Sequence, residues 1–321
     1  MRSIRVRLTV VAGLAACSAL AFAQQPPPAA PPQGRAAAAA PAAAGQGARG
    51  AGRGAGQRKR VLAWADTRNG VAQHDSVGHA LATIERLGYE SGMWDTSIRT
   101  DSNIISKTPK KTDGTPASGG PSLNNVDAIF YMGHREVPLD AAQKEELLQF
   151  VRDGHGFVAA HVGLTSFESW PEFLDLIGAR FDGHPITGAG VVINENPNFP
   201  ATKHMPASFN FNDEFYQPSQ FSRDKIDVLL RLDVKPGDTR AHADGDYPLA
   251  WAKTYGKGRV FFGSFAHASA TWDIRDVQQM YFEAMRWALG LTDAEVAPHA
   301  MRGSADAAAG RGRGQAGRDS R

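Results

Sequence analysis

The chain has 321 residues, 42% of them hydrophobic and 21% charged, a formal net charge of +2 and one cysteine, Cys17. Cys17 lies in the leader described below, so the mature chain has no thiol for a disulfide, a nucleophile or a thiolate metal site. Of the 35 basic and 33 acidic groups, residues 1–60 hold nine basic and no acidic ones, and residues 301–321 hold five and two. This leaves 21 basic and 31 acidic groups, a net of −10, for the segment between, which excludes nucleic-acid recognition by the core.

Arg2, Arg5 and Arg7 precede the apolar run Leu8–Ala23, which is too short to span a bilayer and reads as a signal peptide over 1–23. Ala21-Phe22-Ala23 fits ordinary cleavage. The alternative is Leu14-Ala15-Ala16-Cys17, a lipoprotein box that would anchor the chain through Cys17. Either way the protein is expected to be exported, to the periplasm or medium, with no transmembrane segment. Residues 24–60 are Pro, Ala, Gly and Arg, as is the end of the chain. These compositions cannot bury enough apolar surface to order themselves, so 24–60 is expected to be a linker and 293–321 a disordered, solvated tail.

Between them, residues 61–292 read as one domain. Val61–Ala65 is a short apolar strand, and Asp75-Ser76 is placed to cap a helix with Val77, Leu81, Ile84 and Leu87 inward, ending at Gly88. Tyr89–Trp94 then reads as a strand, Ser106–Ser122 as a loop and Val126–Met132 as a buried strand. A helix over Asp140–Arg152 with Gly154 beyond it leads to a strand over Phe157–His161. Ser169-Trp170-Pro171-Glu172 has capping-box spacing for a helix to Gly178. Val191–Ile193, Asp227–Leu232, Leu249–Lys253 and Arg259–Phe265 read as strands, the last two a hairpin across Tyr255–Gly258. A helix over Ile274–Leu289 closes the domain. Alternating apolar strands and helices imply an α/β fold with a mostly parallel sheet covered on both faces, in which ligands bind beyond the carboxyl ends of the strands.

Histidines collect at those ends. Asp66 and His74 follow the first strand, Gly133-His134-Arg135-Glu136 the third, His161 the fourth, and His267 the late hairpin. Imidazole serves as acid, base or metal ligand near neutral pH, so such an edge could do proton chemistry or hold a divalent metal. A single histidine at a strand end is more often structural; convergence of several is what argues for function. There is no His-Glu-x-x-His helix or His-x-His pair, so any metal would draw ligands from separate strands. Trp64, Tyr216 and Trp272 are candidate platforms for a sugar ring.

Several segments together resemble the trehalose-utilisation (ThuA-like) family. They are Gly154-His155-Gly156-Phe157-Val158-Ala159-Ala160-His161; Trp170 through Gly178-Ala179-Arg180-Phe181 with His184-Pro185; and Asp213-Glu214-Phe215-Tyr216. They continue with Pro248-Leu249-Ala250-Trp251, Tyr255-Gly256-Lys257-Gly258-Arg259-Val260, His267, and Trp287-Ala288-Leu289-Gly290. His155, where glycine is usual, and the insertion around Lys107–Ser122 depart from the family pattern. The resemblance implies a flavodoxin-like sheet of the class I glutamine amidotransferase type. His161 stands where those amidotransferases carry cysteine, and imidazole cannot form the glutaminase thioester, so glutaminase activity is not expected. Nor is a nucleotide or flavin.

The family association is with disaccharides and their keto forms. It implies acid–base chemistry on a disaccharide, glycoside or keto-sugar, with His161 or Glu214 as base and His267 as acid or orienting donor. Asp213 would orient one of those histidines or cap the turn presenting Glu214. Asp66, His74, His134, His184 and Tyr216 are candidate substrate contacts. The alternative is a saccharide-binding protein using the same cleft without catalysis.

Overall fold

Strands rich in Val, Ile, Phe and Trp form where both faces can be buried, and helices where one stripe can be. The computed structural model describes residues 58–302 except 112 and 236, so the expected signal peptide, Cys17, most of the linker and the tail beyond 302 lie outside the described residues. The order is β1 (Lys59–Trp64), α1 (Ser76–Ser91), β2 (Trp94–Arg99), β3 (Ala128–Tyr131), α2 (Ala141–Arg152), β4 (Gly156–Ala160), α3 (Pro171–Ile177), β5 (Arg180–Phe181), β6 (Ile186–Asn194), β7 (Ser208–Phe215), β8 (Pro218–Ser219), β9 (Asp227–Leu232), β10 (Pro248–Tyr255), β11 (Gly258–Gly263) and α4 (Arg275–Ala288). Among the described residues no helix is long and apolar enough to cross a membrane.

The main sheet runs β2-β1-β3-β4-β11-β10-β9-β6-β7, and β5 pairs with β8 in a small separate ribbon. Pairing is parallel from β2 to β11 and antiparallel from β11 to β7, so only β10 and β6 run against the other seven strands. The fold is thus the expected mostly parallel α/β sheet with the late hairpin β10–β11. Helices α1 and α4 bury Leu81, Ile84, Met280 and Tyr281 with Phe130 and Phe261 on one face. Helices α2 and α3 bury Leu147, Val151 and Phe173 with Ile129 and Phe262 on the other.

Several sequence expectations need correction. The first helix runs past Gly88 to Ser91 and stops at Gly92, whose φ of 70° is the left-handed end. Gly88 is instead a contact glycine, since a Cβ there would collide with the indole of Trp94. The second strand therefore starts at Trp94 rather than Tyr89. Asp75 makes no side-chain cap. Neither does Ser169: its hydroxyl and amide both bind Glu136 (2.9 and 2.8 Å), and α3 starts at Pro171 without a side-chain cap. A capping box does exist at α2, where Asp140 accepts from the Gln143 amide and Gln143 from the Asp140 amide.

Both domain boundaries move outward. Lys59 and Arg60, assigned to the linker, pair with Trp94 and Asp95 in β1. Residues 293–302, assigned to the tail, pack on the domain because they satisfy buried carboxylates. The Ala297 amide donates to Asp227 and the Arg302 amide to Glu195, while His299 contacts both acids; Glu195 and Asp227 are fully buried.

The antiparallel half is longer than expected. β6 spans nine residues instead of three, and β7 was not anticipated at all, although Phe209-Asn210-Phe211-Asn212 alternates with period two. β7 is the fifth strand beyond β4. A flat sheet would separate them by about 24 Å at roughly 4.8 Å per strand, yet their ends touch. The sheet coils until the end of β7 lies over β4 and β11, where the Tyr216 amide donates to Ser264 Oγ at 3.0 Å.

Candidate active site

Three chain segments converge where β4, β7 and β11 end. The first residue after β4, His161, is fully buried with a positive φ of 39°. Such a conformation costs energy in a non-glycine residue and persists only where surrounding contacts over-determine it. The contact that does so is its Nδ1–H, which donates to the Ser264 carbonyl at 2.6 Å. When the ring is neutral this leaves a lone pair on Nε2. Nε2 lies 3.2 Å from His267 Nδ1 and 3.4 Å from Glu214 Oε2. His267 Nδ1 is in turn 3.0 Å from the same Glu214 oxygen. The ring of Tyr216 lies against His161 with centroids 4.0 Å apart, blocking its other side.

Asp213 and Glu214 are neighbours at the end of β7, so period two sends their carboxylates to opposite faces. Asp213 accepts from the Ala266 amide at 2.7 Å, the His267 amide at 3.2 Å and the Glu214 amide at 2.9 Å. It thus does both things expected of it: it caps the backbone at Glu214 and orients a histidine, through that histidine's main chain. Burial raises its pKa above the ordinary Asp value despite those bonds. Ala266 is held at a φ of 87°, with Trp272 Nε1 donating to its carbonyl.

Glu214 binds His184 Nδ1 with its other oxygen at 3.3 Å. Burial alone would raise its pKa. The hydrogen bond with His161 and the charges of His267 and His184 outweigh that and hold it at about 2. His74 reaches the cluster from the loop before α1, its ring 4.8 Å from His267 and 5.3 Å from His161, and its Nε2 3.5 Å from the Tyr216 hydroxyl. Burial, then the neighbouring His161, His267 and His134, lower its pKa to about 4.

Five of the expected site residues therefore form one cluster: His161, Glu214, His267, His74 and His184, with Asp213 and Tyr216 behind them. His134 stands at its margin, 5.3 Å from His74, with Nδ1 on the Ala72 carbonyl at 3.1 Å. Asp66 is not part of it. Its oxygens are taken by the Arg68 amide and the Ser102 hydroxyl, which fix the loop after β1. The aromatic platforms also require correction: Trp64, Tyr216 and Trp272 are at most 2% exposed, so none offers a face to a sugar. Sequence reasoning missed Ser264, whose carbonyl sets the His161 tautomer and whose hydroxyl meets Tyr216; a serine between an apolar strand and Phe265 carries no signal of that role. The departure at His155 has a structural use at the opposite end of β4, where its ring stacks on Phe150 at 4.1 Å. A cavity of about 920 Å³ also lies at that end, with Arg152, Lys253 and Arg259 facing Asp175, Asp224 and Glu295 and no histidine.

A nine-stranded sheet with seven strands in one direction, a strained histidine where β4 ends, and histidines gathered at the carboxyl edge define a mostly parallel, flavodoxin-like α/β protein. The family model described as trehalose utilisation, ThuA, matches residues 60–288, and the chain belongs to that family. Membership places it in carbohydrate metabolism. Among solved structures it is similar to a ThuA-like protein of Bacteroides uniformis, at 21% identity and a TM-score of 0.58, covering 74% of this chain and 94% of that one. A ThuA-like protein of Parabacteroides merdae is similar at 16% identity and a TM-score of 0.55, covering 75% and 94%. At such identities the likeness establishes the fold. No curated protein matches the chain.

Proposed function

We propose that the protein is an exported enzyme that acts on a disaccharide, glycoside or keto-sugar by acid–base chemistry at His161, Glu214 and His267. The observation that carries this is the triangle of His161 Nε2, His267 Nδ1 and Glu214 Oε2, with sides of 3.0–3.4 Å, at the carboxyl edge of the sheet. Sugars react by moving protons at hydroxyls, at carbons beside a carbonyl or at glycosidic oxygens, and all three need a positioned acid and base.

The geometry divides the roles. Glu214, held ionised down to about pH 2, is a weak base but a strong acceptor for the Nδ1–H of His267. That tautomer leaves Nε2 of His267 as the basic nitrogen, on a side chain 42% exposed. His161, enclosed on all sides, orients the pair rather than meeting substrate. His184, half-exposed on the other Glu214 oxygen, is placed to touch a sugar hydroxyl. The leader Met1–Ala23 supports export, with ordinary cleavage before Gln24 and lipidation of Cys17 as the other route. The test is to incubate the purified mature chain with disaccharides and their keto forms and identify products. A new sugar product that disappears in His267→Asn supports the reading, whereas saturable binding without turnover would make the chain a saccharide-binding protein.

A further inference from the structure

The same triangle has a deficit of protons. His161 spends its Nδ1–H on Ser264, so a neutral His161 presents only a lone pair to the site. Glu214 Oε2 also presents only lone pairs, and it faces His161 Nε2 at 3.4 Å. The sole hydrogen available between the three atoms is the Nδ1–H of His267, and one hydrogen cannot lie along all three edges. Two acceptors facing each other across a largely buried gap repel unless a positive centre sits between them, either a proton on His161 Nε2, which makes the hydrogen bond to Glu214 described above, or a cation.

We propose that this positive centre is a divalent first-row transition ion of the zinc class, bound by His161 Nε2, His267 Nδ1 and Glu214 Oε2, with His74 as the fourth ligand. Metal–nitrogen and metal–oxygen bonds of about 2.0–2.2 Å at tetrahedral angles place neighbouring ligand atoms roughly 3.3–3.5 Å apart. The observed edges of 3.2, 3.4 and 3.0 Å are close to one face of that tetrahedron. His74 completes it, since one ligand atom from each of the four residues lies within 4.8 Å of the others. Binding would draw the His74 imidazole inward to close the set. Three imidazoles and one carboxylate favour zinc, cobalt or iron(II) over magnesium or calcium, which prefer all-oxygen shells.

The supporting contacts are those a metal site needs. His161 donates its remote N–H to a carbonyl, fixing tautomer and ring plane, and Asp213 anchors the main chain of His267. The inference shares side chains with the proposed sugar chemistry but stands on ligand geometry alone: with an ion on Nδ1 of His267 its proton sits on Nε2, which then faces a sugar as a donor, whereas without the ion Nδ1–H donates to Glu214 and Nε2 is the base.

The experiment uses the full mature chain, stripped by chelator, and no sugar. Zinc is titrated by calorimetry, and cobalt(II) is added for its visible absorption. About one equivalent should bind, with the intense visible bands of four-coordinate cobalt, displaced by zinc. Replacing an outer-shell partner of a metal site typically costs ten- to a hundredfold in affinity, so loss of a ligand should cost roughly a hundredfold or more. That is expected for Glu214→Gln and His161→Asn. It is also expected for His267→Asn, the half-exposed member and so the variant most tolerant of replacement. His242→Gln, which alters a histidine paired with Asp182 on the surface, should bind like wild type. Absence of stoichiometric binding, six-coordinate cobalt spectra, or equal binding by wild type and folded His267→Asn would each overturn the proposal.

Discussion

The carboxylate of Asp213 on β7 accepts from the backbone amide of His267 after β11, at 3.2 Å, and from that of Ala266 at 2.7 Å. A side chain from one end of the sheet thereby sets the position of an imidazole at its middle. Asp213→Asn keeps the shape but turns a donor toward one of those amides. It should lower kcat by about tenfold to a hundredfold with little change in KM, as expected when a reacting group is displaced by a fraction of an ångström. Stability should fall by about 1–3 kcal/mol. Unchanged kcat in a variant with lowered stability would leave Asp213 a purely structural residue.

His161 is fully buried and bonded, and orients His267 and Glu214 in the proposed mechanism, so its replacement should cost both stability and activity. We expect His161→Asn to lose about 1–3 kcal/mol and roughly a hundredfold in turnover per folded molecule. His267→Asn should lose similar activity with a melting temperature near wild type, because its side chain is 42% exposed, whereas Glu214→Gln should lose activity and also some stability, because its lowered pKa means that its charge stabilises the fold. Thermal melts and turnover on the same three samples check this. Retained turnover in all three would end the catalytic proposal.

His74 makes the fold acid-sensitive. Its folded pKa of about 4 lies below the ordinary 6.5, so the unfolded chain takes up the proton first. Its favourable contribution is therefore complete above about pH 6.5 and is lost as pH falls toward 4. Urea midpoints of chelated protein should decline through that window, and His74→Asn should flatten the decline. Parallel curves for the two proteins would refute the assignment.

His299 works in the opposite direction. Burial alone would lower its pKa, but its bond with Asp227 and the nearby Glu195 outweigh burial and raise it. The stabilisation is whole below about pH 6.5 and fades as pH rises through the raised value. His299→Gln should thus be more costly near pH 6 than near pH 9. A pH-independent cost would argue for packing alone.

The segment that carries His299 also sets where the stable domain ends. Truncation after Thr292 removes the Ala297 and Arg302 donors from buried Asp227 and Glu195 and the Ala294 carbonyl from Trp287. It should cost about 1–3 kcal/mol, and limited proteolysis should leave a fragment that extends to about Arg302. Cleavage at 292 without loss of stability would contradict this.

The parallel half of the fold was legible because each of its strands is a short, continuous apolar run between recognisable helices, and the edge where ligands gather followed from that alone. The antiparallel half was not, because β7 is an edge strand with polar residues on its open face and its alternation is broken by Asp213-Glu214, which read as a turn. The cluster of His161, His267 and His74 was foreseeable from strand ends. Inclusion of Glu214 rested on family resemblance, since nothing local says that a strand five places away returns to His161. The capping error at Ser169 has a tertiary cause: spacing shows which groups are available, while partners such as Glu136 decide which are used.

Because the sheet coils, the distance between His161 and Glu214 is a gauge of its curvature. Each step between neighbouring strands from β11 to β7 contributes about 20–25° of rotation, and their sum closes a gap that a flat sheet would leave wide open. Gly190 in β6 has no room for a side chain, since a Cβ there would sit 2.6 Å from Leu232 and 2.9 Å from Phe215, the neighbour of Glu214. A methyl group at that position would push against the strand bearing the carboxylate. Substitution there would therefore move Glu214 relative to His161 and His267 without altering any of the three, so the outer strands hold the geometry of a cluster whose histidines stand on the parallel ones.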